Sequence, residues 1–513
     1  MNSGFFTDFK LYSYACVTII SGKINKMIIN KNGMKQIEKD SGQRDYILMQ
    51  KVGQKLAEQI LIDYPQCKNL LILAGNGNNG GDGAILATAL KSIHTEFILL
   101  CGEPNTDAAM QAYTAIPKKN CFTKKDLDSC IMRCDLIVDA IFGFSYHGEL
   151  SSDIRPLFRK INECGKPVVS IDLNSGSECD TGYVDSDAIR SDITYAIQYK
   201  KPFHMLRKEH QLFKKCICLD IGLTKHSTTP YNEMNEELFF QYFPHKEENS
   251  YKGTYGKTLF VGGSYGTAGA ASLNIIGART VGSSYIHMAI PECIYPIVAS
   301  QHITPVFHPF HKDNYREILS PIIQQATAIG FGSGASQMER KRDVMDLILQ
   351  NAKCPVVLDA EGLRLLEHNT YLLRFVTEPV ILTPHIGEFA GLLNLPIEVV
   401  NDRKIELAMQ FAKKHHVYIV LKGPHTIVTS PSGDCYINQS GNQALAQAGS
   451  GDLLTGILTS ILSMTKDVYQ AICMSVWLHG YIAEYGTQEQ SIQNFSLESY
   501  PTIMDKIFHH HNL

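Results

Sequence analysis

The sequence predicts an α/β protein of two domains, and three observations carry that prediction. Short apolar runs alternate with amphipathic stretches along most of the chain, the rhythm of a mainly parallel sheet covered by helices on both faces. That rhythm lapses once, in a polar stretch at 224–250, and then resumes. At 513 residues the chain is also too long for one ordinary core. The division expected is an extension at 1–30, a first domain at 31–225, a linker at 226–245 and a second domain at 246–513.

In the extension, the apolar patch at 11–20 is short and interrupted by polar residues, so it reads as unstructured chain or as sequence upstream of a start at Met27. The first domain opens with a helical pattern through Ile37, Ile47, Leu48, Val52, Leu56 and Ile60. Strands are expected at 70–73, 97–100, 136–139, 168–171, 193–196 and 216–220, with helices between most of them, for example at 153–164. In the second domain strands are expected at 258–262, 285–289, 328–330, 356–359, 380–383 and 418–421. A hairpin around Pro431-Ser432-Gly433 follows, then helices at 452–463 and 468–485.

Composition narrows the function classes. With 44% hydrophobic and 19% charged residues the chain is of globular type, not disordered or fibrous. A net charge of −4 leaves no electrostatic footprint for nucleic acid. No apolar run is long enough to span a bilayer, so no membrane partner is expected. The 14 cysteines are dispersed without a zinc-type C-x2-C pair, which fits free thiols in a reducing cytoplasm.

Three polar clusters in the first half follow predicted strands, where open α/β sheets place ligands. The first is Asn78, Asn79, Gly80, Gly81 and Asp82, at a glycine-rich junction whose helix would turn its N–H groups toward an anion. The second is Asp139 with the loop Gly143, Phe144, Ser145, Tyr146, His147, Gly148 and Glu149. The third runs from Asp172 through Asn174 to Ser175. Any one cluster alone reads more readily as turn chemistry, whereas three at strand ends point to a site. Asn79, Asp139 and Ser175 offer only oxygen, which suits a hard, weakly held cation.

The second half carries Gly262-Gly263, Gly332-Ser333-Gly334, Leu358-Asp359, Thr383-Pro384-His385, a run from Lys422 to Thr426, and Gly449-Ser450-Gly451-Asp452. A glycine pair opening a helix that bears a carboxylate suits phosphoryl transfer, since N–H groups stabilise the phosphoryl charge while Asp452 takes a hydroxyl proton. The plain alternatives are that Asp452 caps a helix, His385 is a loop histidine and Lys422 is solvated.

Taken in order, Asn78–Gly83, Val138–Gly143 and Ile171–Gly176 resemble the signature of the NAD(P)H-hydrate epimerase domain. Leu48-Met49-Gln50-Lys51-Val52-Gly53 is similar to that family's Leu-Met-Glu-x-Ala-Gly helix, with Gln50 where Glu is usual. The resemblance implies a Rossmann-like three-layer sandwich. It also implies that Asn78–Asp82, Gly143–Glu149 and Asp172 contact the hydrated nucleotide, with Asp172 as acid/base, and that Asn79, Asp139 and Ser175 hold a potassium ion. Asn174 stands where the family has Pro, and Ser177 where it has Leu; both bear on local backbone rigidity.

The second half resembles, over 246–505, the ADP/ATP-dependent NAD(P)H-hydrate dehydratase domain of the ribokinase-like superfamily. That implies hydrated-nucleotide contacts at Ala270, Gly332, His385 and Asp452, with Asp452 catalytic. It implies adenine-nucleotide contacts at Lys422, Gly423, Pro424, His425, Thr426 and Gly451. Mg2+ and ADP as co-substrate, ADP being preferred to ATP, and a homo-oligomeric state are the corresponding expectations. Gln443-Ala444 replaces the family's usual Pro-Gly, so nucleotide affinity is where a difference is expected. The rival readings are a ribokinase-type vitamin or sugar kinase fused to a nucleotide-binding module, and an RNA-scaffold binding module.

Overall fold

The computed structural model describes residues 28–206, 212–223, 231–251 and 253–511. All but the last residues of the proposed extension, Thr228-Thr229-Pro230 and Lys252 lie outside them. The chain forms two compact units, Met1–Glu233 and Met234–Leu513.

The first unit holds strands β1 (Asn69–Ala74), β2 (His94–Leu99), β3 (Cys121–Phe122), β4 (Leu136–Ala140), β5 (Val168–Ile171), β6 (Ser191–Ile197) and β7 (Phe213–Leu219). They pair in parallel in the order β3-β2-β1-β4-β5-β6-β7, the doubly wound order lengthened by one strand. Strand alternation feeds two cores. Leu70, Ile72 and Ala74 join the helices Asp45–Asp63 and Asn78–Ala89 on one face. Leu71 and Leu73 meet Phe158 and Ile161 of the helix Arg155–Glu163 on the other. The strand is therefore apolar throughout, as burial on both faces demands.

The second sheet contains β8 (Tyr231–Asn232), β9 (Thr258–Val261), β10 (Ile286–Pro291), β11 (Val306–Phe310), β12 (Ala328–Phe331), β13 (Val356–Leu358), β14 (Val380–Leu382), β15 (Tyr418–Leu421), β16 (Ile427–Thr429) and β17 (Cys435–Ile437). Its order is β11-β10-β9-β12-β13-β14-β15-β16-β17-β8, and the hairpin β16–β17 runs antiparallel as expected. The helices Ser450–Met464 and Val468–Gly486 bury Leu453, Ile457, Ile461 and Trp477 in one core with Val357, Ile381 and Val420.

Three strands were not foreseen. β3 and β8 have two residues each, and β11 carries Pro309, a residue tolerated there because β11 is an edge strand. The linker reading of 226–245 also needs correction. Asn235 caps a helix at Glu236–Tyr242 through a bond from the Leu238 N–H. Phe239 and Phe243, one turn apart, stack on each other, and Phe239 reaches Trp477. An apolar pair at helical spacing thus makes this segment part of a core rather than free chain.

In both sheets the strand order reverses beside the first strand of the series, between β1 and β4 and between β9 and β12. Each first strand is followed directly by a glycine, Gly75 or Gly262, where a Cβ would run into the carbonyl oxygen of Ile141 or Ser333 in the loop after the neighbouring strand. That close approach brings the two loops together at each switch point.

Candidate active sites

In the first unit a cavity of about 460 Å³ opens at the switch point. Its wall includes Asn78, Asn79, Asp82, Gly143, Phe144, Ser145, Tyr146 and Asp172, with Leu48, Met49 and Val52 from the helix Asp45–Asp63. Gly80, Gly81, His147, Gly148 and Glu149, also expected to contact the nucleotide, are not among its lining residues. Gly80 and Gly81 are buried against Tyr113 and Met49 and let their helix pack closely. Beyond Tyr146 the loop turns outward: the Gly148 N–H donates to Glu178, and the Glu149 side chain is 81% exposed.

Asp172 anchors the site. It is buried and sits in the left-handed region at φ 63°, a conformation that persists only when its surroundings over-determine it. They do. Its N–H donates to the Tyr195 carbonyl at 2.8 Å, and its own carbonyl faces His204 Nε2 at 2.7 Å. His204 Nδ1 accepts from the Lys201 N–H at 2.9 Å, which assigns the ring proton to Nε2 and makes it the donor to Asp172. Burial, with Lys201 adding to it, pushes His204 down to about 3, so this ring stays neutral.

Lys201 Nζ donates to Asp172 Oδ1 at 2.5 Å and to the Ile197 carbonyl at 2.8 Å, and the lysine is only 1% exposed. Burial alone would lower its pKa, but the Asp172 carboxylate beside it leaves it above the ordinary lysine value. Asp172 Oδ2 is approached by the Phe144 N–H at 3.3 Å in the cavity wall. Burial also raises Asp82 well above the usual carboxyl range, with Asp172 and Glu38 adding to the rise. Neither Lys201 nor Glu38 was foreseen; a charged residue just past a strand end, Lys201 after β6, was the available signal.

Asp139 is buried with all its acceptor positions in use. Ser175 Oγ and the Ile141 N–H bond Oδ1 at 2.5 and 3.2 Å, while Ser170 Oγ and the Ser175 N–H bond Oδ2, each at 2.9 Å. Asn79 is buried with its Nδ2 lacking a partner. Asn174, at the position where proline was expected, fixes its loop by hydrogen bonds instead. Its Nδ2 donates to the Ile189 and Leu212 carbonyls and to Ser191 Oγ, and its Oδ1 accepts from Thr194 Oγ1.

In the second unit the helix Ser450–Met464 begins after Gly449, which has φ 91° and provides no side-chain cap. Asp452 lies inside the first turn, so it is not the N-cap, although an acidic residue there suits the helix dipole. Burial and the neighbouring Asp359 raise its carboxyl to about 6, against a bond from Ser333 and the charge of Lys422. Asn274 ties this turn to the Gly332–Gly334 loop, donating to the Asp452 carbonyl at 2.7 Å and to Ser333 Oγ at 3.2 Å. Gly332, at φ 117°, packs directly on the Asp359 carbonyl, and Ala270 abuts Gly334.

Asp359, not assigned a role from sequence, is the hub. Its Oδ1 accepts from Lys422 Nζ and Thr383 Oγ1, each at 2.8 Å, and its Oδ2 from Thr455 Oγ1 at 3.0 Å. Gly451 lies against Lys422 Nζ, so the proposed nucleotide residues Lys422 and Gly451 are adjacent. Gly423 and Pro424 are exposed beside them. His425 turns inward instead, its Nδ1 3.1 Å from the Asn438 carbonyl, and Thr426 Oγ1 bonds back to the Gly423 carbonyl. His385 forms a β-bridge with Lys422 and caps the helix Ile386–Leu393, its Nδ1 accepting from the Gly387 and Glu388 N–H groups. A second cavity of about 460 Å³, lined by Ser264, Tyr265, Cys293, Lys312 and Gln337, lies to one side and does not include Asp452 among its lining residues.

Two α/β units, each with a carboxylate and a glycine-built loop at the carboxyl ends of its strands, define an enzyme with two nucleotide-handling sites. Residues 258–503 match the family described as NAD(P)H-hydrate dehydratase, and residues 45–203 match the YjeF-related protein N-terminus. The bifunctional NAD(P)H-hydrate repair enzyme Nnr of Moorella thermoacetica is 28% identical over 471 residues, covering 86% of this chain and 88% of that protein. The ADP-dependent (S)-NAD(P)H-hydrate dehydratase of Bacillus subtilis is 34% identical over 268 residues, 52% of this chain and 93% of that one. A crystal structure of the ADP/ATP-dependent NAD(P)H-hydrate dehydratase from Bacillus subtilis, co-crystallized with ATP/Mg2+, is 32% identical and covers 54% of this chain and 97% of its own, with a TM-score of 0.49. The chain belongs to the NAD(P)H-hydrate repair family.

Proposed function

We propose that the chain restores hydrated NADH and NADPH in two steps, the first unit interconverting the R and S hydrates and the second dehydrating the S hydrate with ADP. The observation that carries this reading is that each family-matched unit has its own carboxylate at the strand ends, Asp172 beside Lys201 and Asp452 beside Lys422.

Epimerisation at the hydrated carbon needs a proton moved next to it. Asp172 is the acid/base group, and Lys201 fixes Oδ1 while Oδ2 stays near the Phe144 N–H in the cavity wall. The hydrated ring would enter among Asn78, Asn79, Asp82 and Gly143–Tyr146.

Dehydration has a different obstacle, because hydroxide leaves poorly at neutral pH. Asp452 takes the proton of the substrate hydroxyl as that oxygen attacks the terminal phosphoryl of ADP, which releases AMP. The ring nitrogen lone pair then expels phosphate, and loss of a proton from the adjacent carbon restores the reduced ring. Lys422 and the N–H groups of the turn at Gly451 stabilise the phosphoryl charge. His385, Gly332 and Ala270 border the hydrated nucleotide, and Gly423–Thr426 the adenine nucleotide.

The side-chain oxygens of Asn79, Asp139 and Ser175 support a potassium site. The acceptor positions of Asp139 are filled by protein donors, however, so these residues fit the ion only once the Ser175 hydroxyl turns away. No step runs through it. Mg2+ would enter on the ADP phosphates and neutralise their charge, since among the described residues no group of three or more His, Cys, Asp or Glu could hold a metal.

The test is purified S hydrate mixed with protein and ADP. Reduced nicotinamide absorbance should return with AMP and phosphate in equal amounts; dehydration without nucleotide cleavage, or a stable phosphorylated product, contradicts the reading.

A further inference from the structure

Four acidic residues from three helices and one loop line the first unit's cavity: Glu38, Asp45, Asp82 and Asp172. Asp45 is exposed, and among the described residues Lys201 is the one lysine or arginine lining the cavity. Its ammonium is committed to Asp172 Oδ1 and the Ile197 carbonyl. Glu38 comes from the helix Lys31–Asp40, which precedes the family match at 45–203. Met34 and Ile37 of that helix are buried in the core, which holds it in place one turn from Glu38. Asn79, whose buried Nδ2 lacks a hydrogen-bond partner, belongs to the same wall.

We propose that Glu38 is the second proton-carrying catalytic residue of the epimerisation site, exchanging one proton with Asp172 across the bound hydrate. This rests on the epimerase reading above. Glu38 protonates the departing hydroxyl, the C–O bond breaks with its electron pair going to water, and the ring nitrogen lone pair forms the iminium. Water then attacks the opposite face, giving its proton to Asp172, and the iminium electrons return to nitrogen. Glu38 is left ionised and Asp172 protonated, which is the state that runs the reverse conversion. Both directions therefore need one proton shared by the two carboxyls.

The surroundings of Glu38 suit that role. Burial, then the charge of Asp172, raises it to about 7; Lys201 opposes the rise, Asp45 adds to it, and Lys35 on its own helix opposes it. Asp82 also faces it. A carboxyl that titrates near neutrality both gives and takes a proton readily.

The test is interconversion of purified R hydrate without ADP, with the two epimers separated and counted, across neutral pH. The wild-type kcat/KM should fall as pH rises through about 7. E38Q should lower kcat by about 100-fold or more, keep KM within about threefold and abolish the alkaline fall, while E38D keeps the fall at an intermediate rate. A wild-type profile flat through neutrality, or an E38Q change in KM alone, overturns the proposal. A wild-type protein that leaves the epimers unchanged sinks the epimerase reading and this proposal with it, whereas an active wild type with an unaffected E38Q sinks only Glu38. Since the wild-type profile needs no variant, a misfolded E38Q does not shield the idea.

Discussion

Both units set a lysine against an aspartate at the carboxyl ends of their strands, but they leave a different carboxyl free. In the first, Lys201 pairs at 2.5 Å with Asp172, the proposed acid/base group itself, and both side chains are nearly inaccessible at 1% and 6% exposure. In the second, Lys422 pairs at 2.8 Å with Asp359 and keeps 21% exposure, while Asp452 stands beside the pair and titrates at about 6. One ion pair holds the proposed reacting carboxyl; the other neutralises the neighbour of the proposed reacting carboxyl and leaves that carboxyl to burial. The same two residue types therefore fix geometry in one place and tune proton affinity in the other.

The sharpest way to break that contrast is to remove each acid alone. Asp452→Asn should lower ADP-dependent dehydration by about 10²–10⁴-fold and leave epimer interconversion unchanged, with Asp172→Asn doing the reverse. Separate assays of each step check both, and cross-loss would contradict independent sites. Next in size, Lys201→Met leaves a buried carboxylate uncompensated and should cost the first unit about 3–5 kcal/mol in denaturant unfolding. Lys422→Met should cost the second unit less, about 1 kcal/mol, because that lysine is partly exposed and Asp359 keeps its two threonine bonds. Equal losses would erase the distinction.

The pH dependence sharpens it further. Asp452 acts as a base only when ionised, so kcat/KM for dehydration should rise with pH up to about 6 and then level off, falling about tenfold per unit below that point. A profile independent of pH there would remove Asp452 from the proton step. The smallest effect belongs to the loop after β5. Asn174→Ala removes the buried hydrogen bonds of its amide to Ile189, Ser191, Leu212 and Thr194, while the Ser191 and Thr194 hydroxyls keep each other and the Leu212 carbonyl keeps the Ser191 N–H. The substitution should cost about 1–3 kcal/mol, read as a lower unfolding midpoint with both proposed reacting carboxyls intact.

What was legible in the sequence was whatever is local. Glycine-rich junctions, Asp139 and Asp172 at strand ends and the alternating strands all announce themselves within a few residues. Glu38 does not, and Lys201 does so only by its place just past β6, because each is a single charge and only the fold carries it to the cavity. At His147–Glu149 a polar loop continues past the cavity lining and looks no different in sequence from the part that lines it. The capping bonds of His385 and the inward turn of His425 likewise depend on backbone geometry that the sequence does not display. Around 236–243 the Phe239–Phe243 spacing was hidden by polar neighbours, so a core helix read as a linker.

The most direct measurement of the two-site account is the extent of recovery from a mixed R and S hydrate treated with ADP, over a time short against spontaneous interconversion. The intact chain should return all of the reduced nicotinamide, and Asp172→Asn should stop at the S fraction. Full recovery by Asp172→Asn, or arrest of the intact chain at the S fraction, would contradict it.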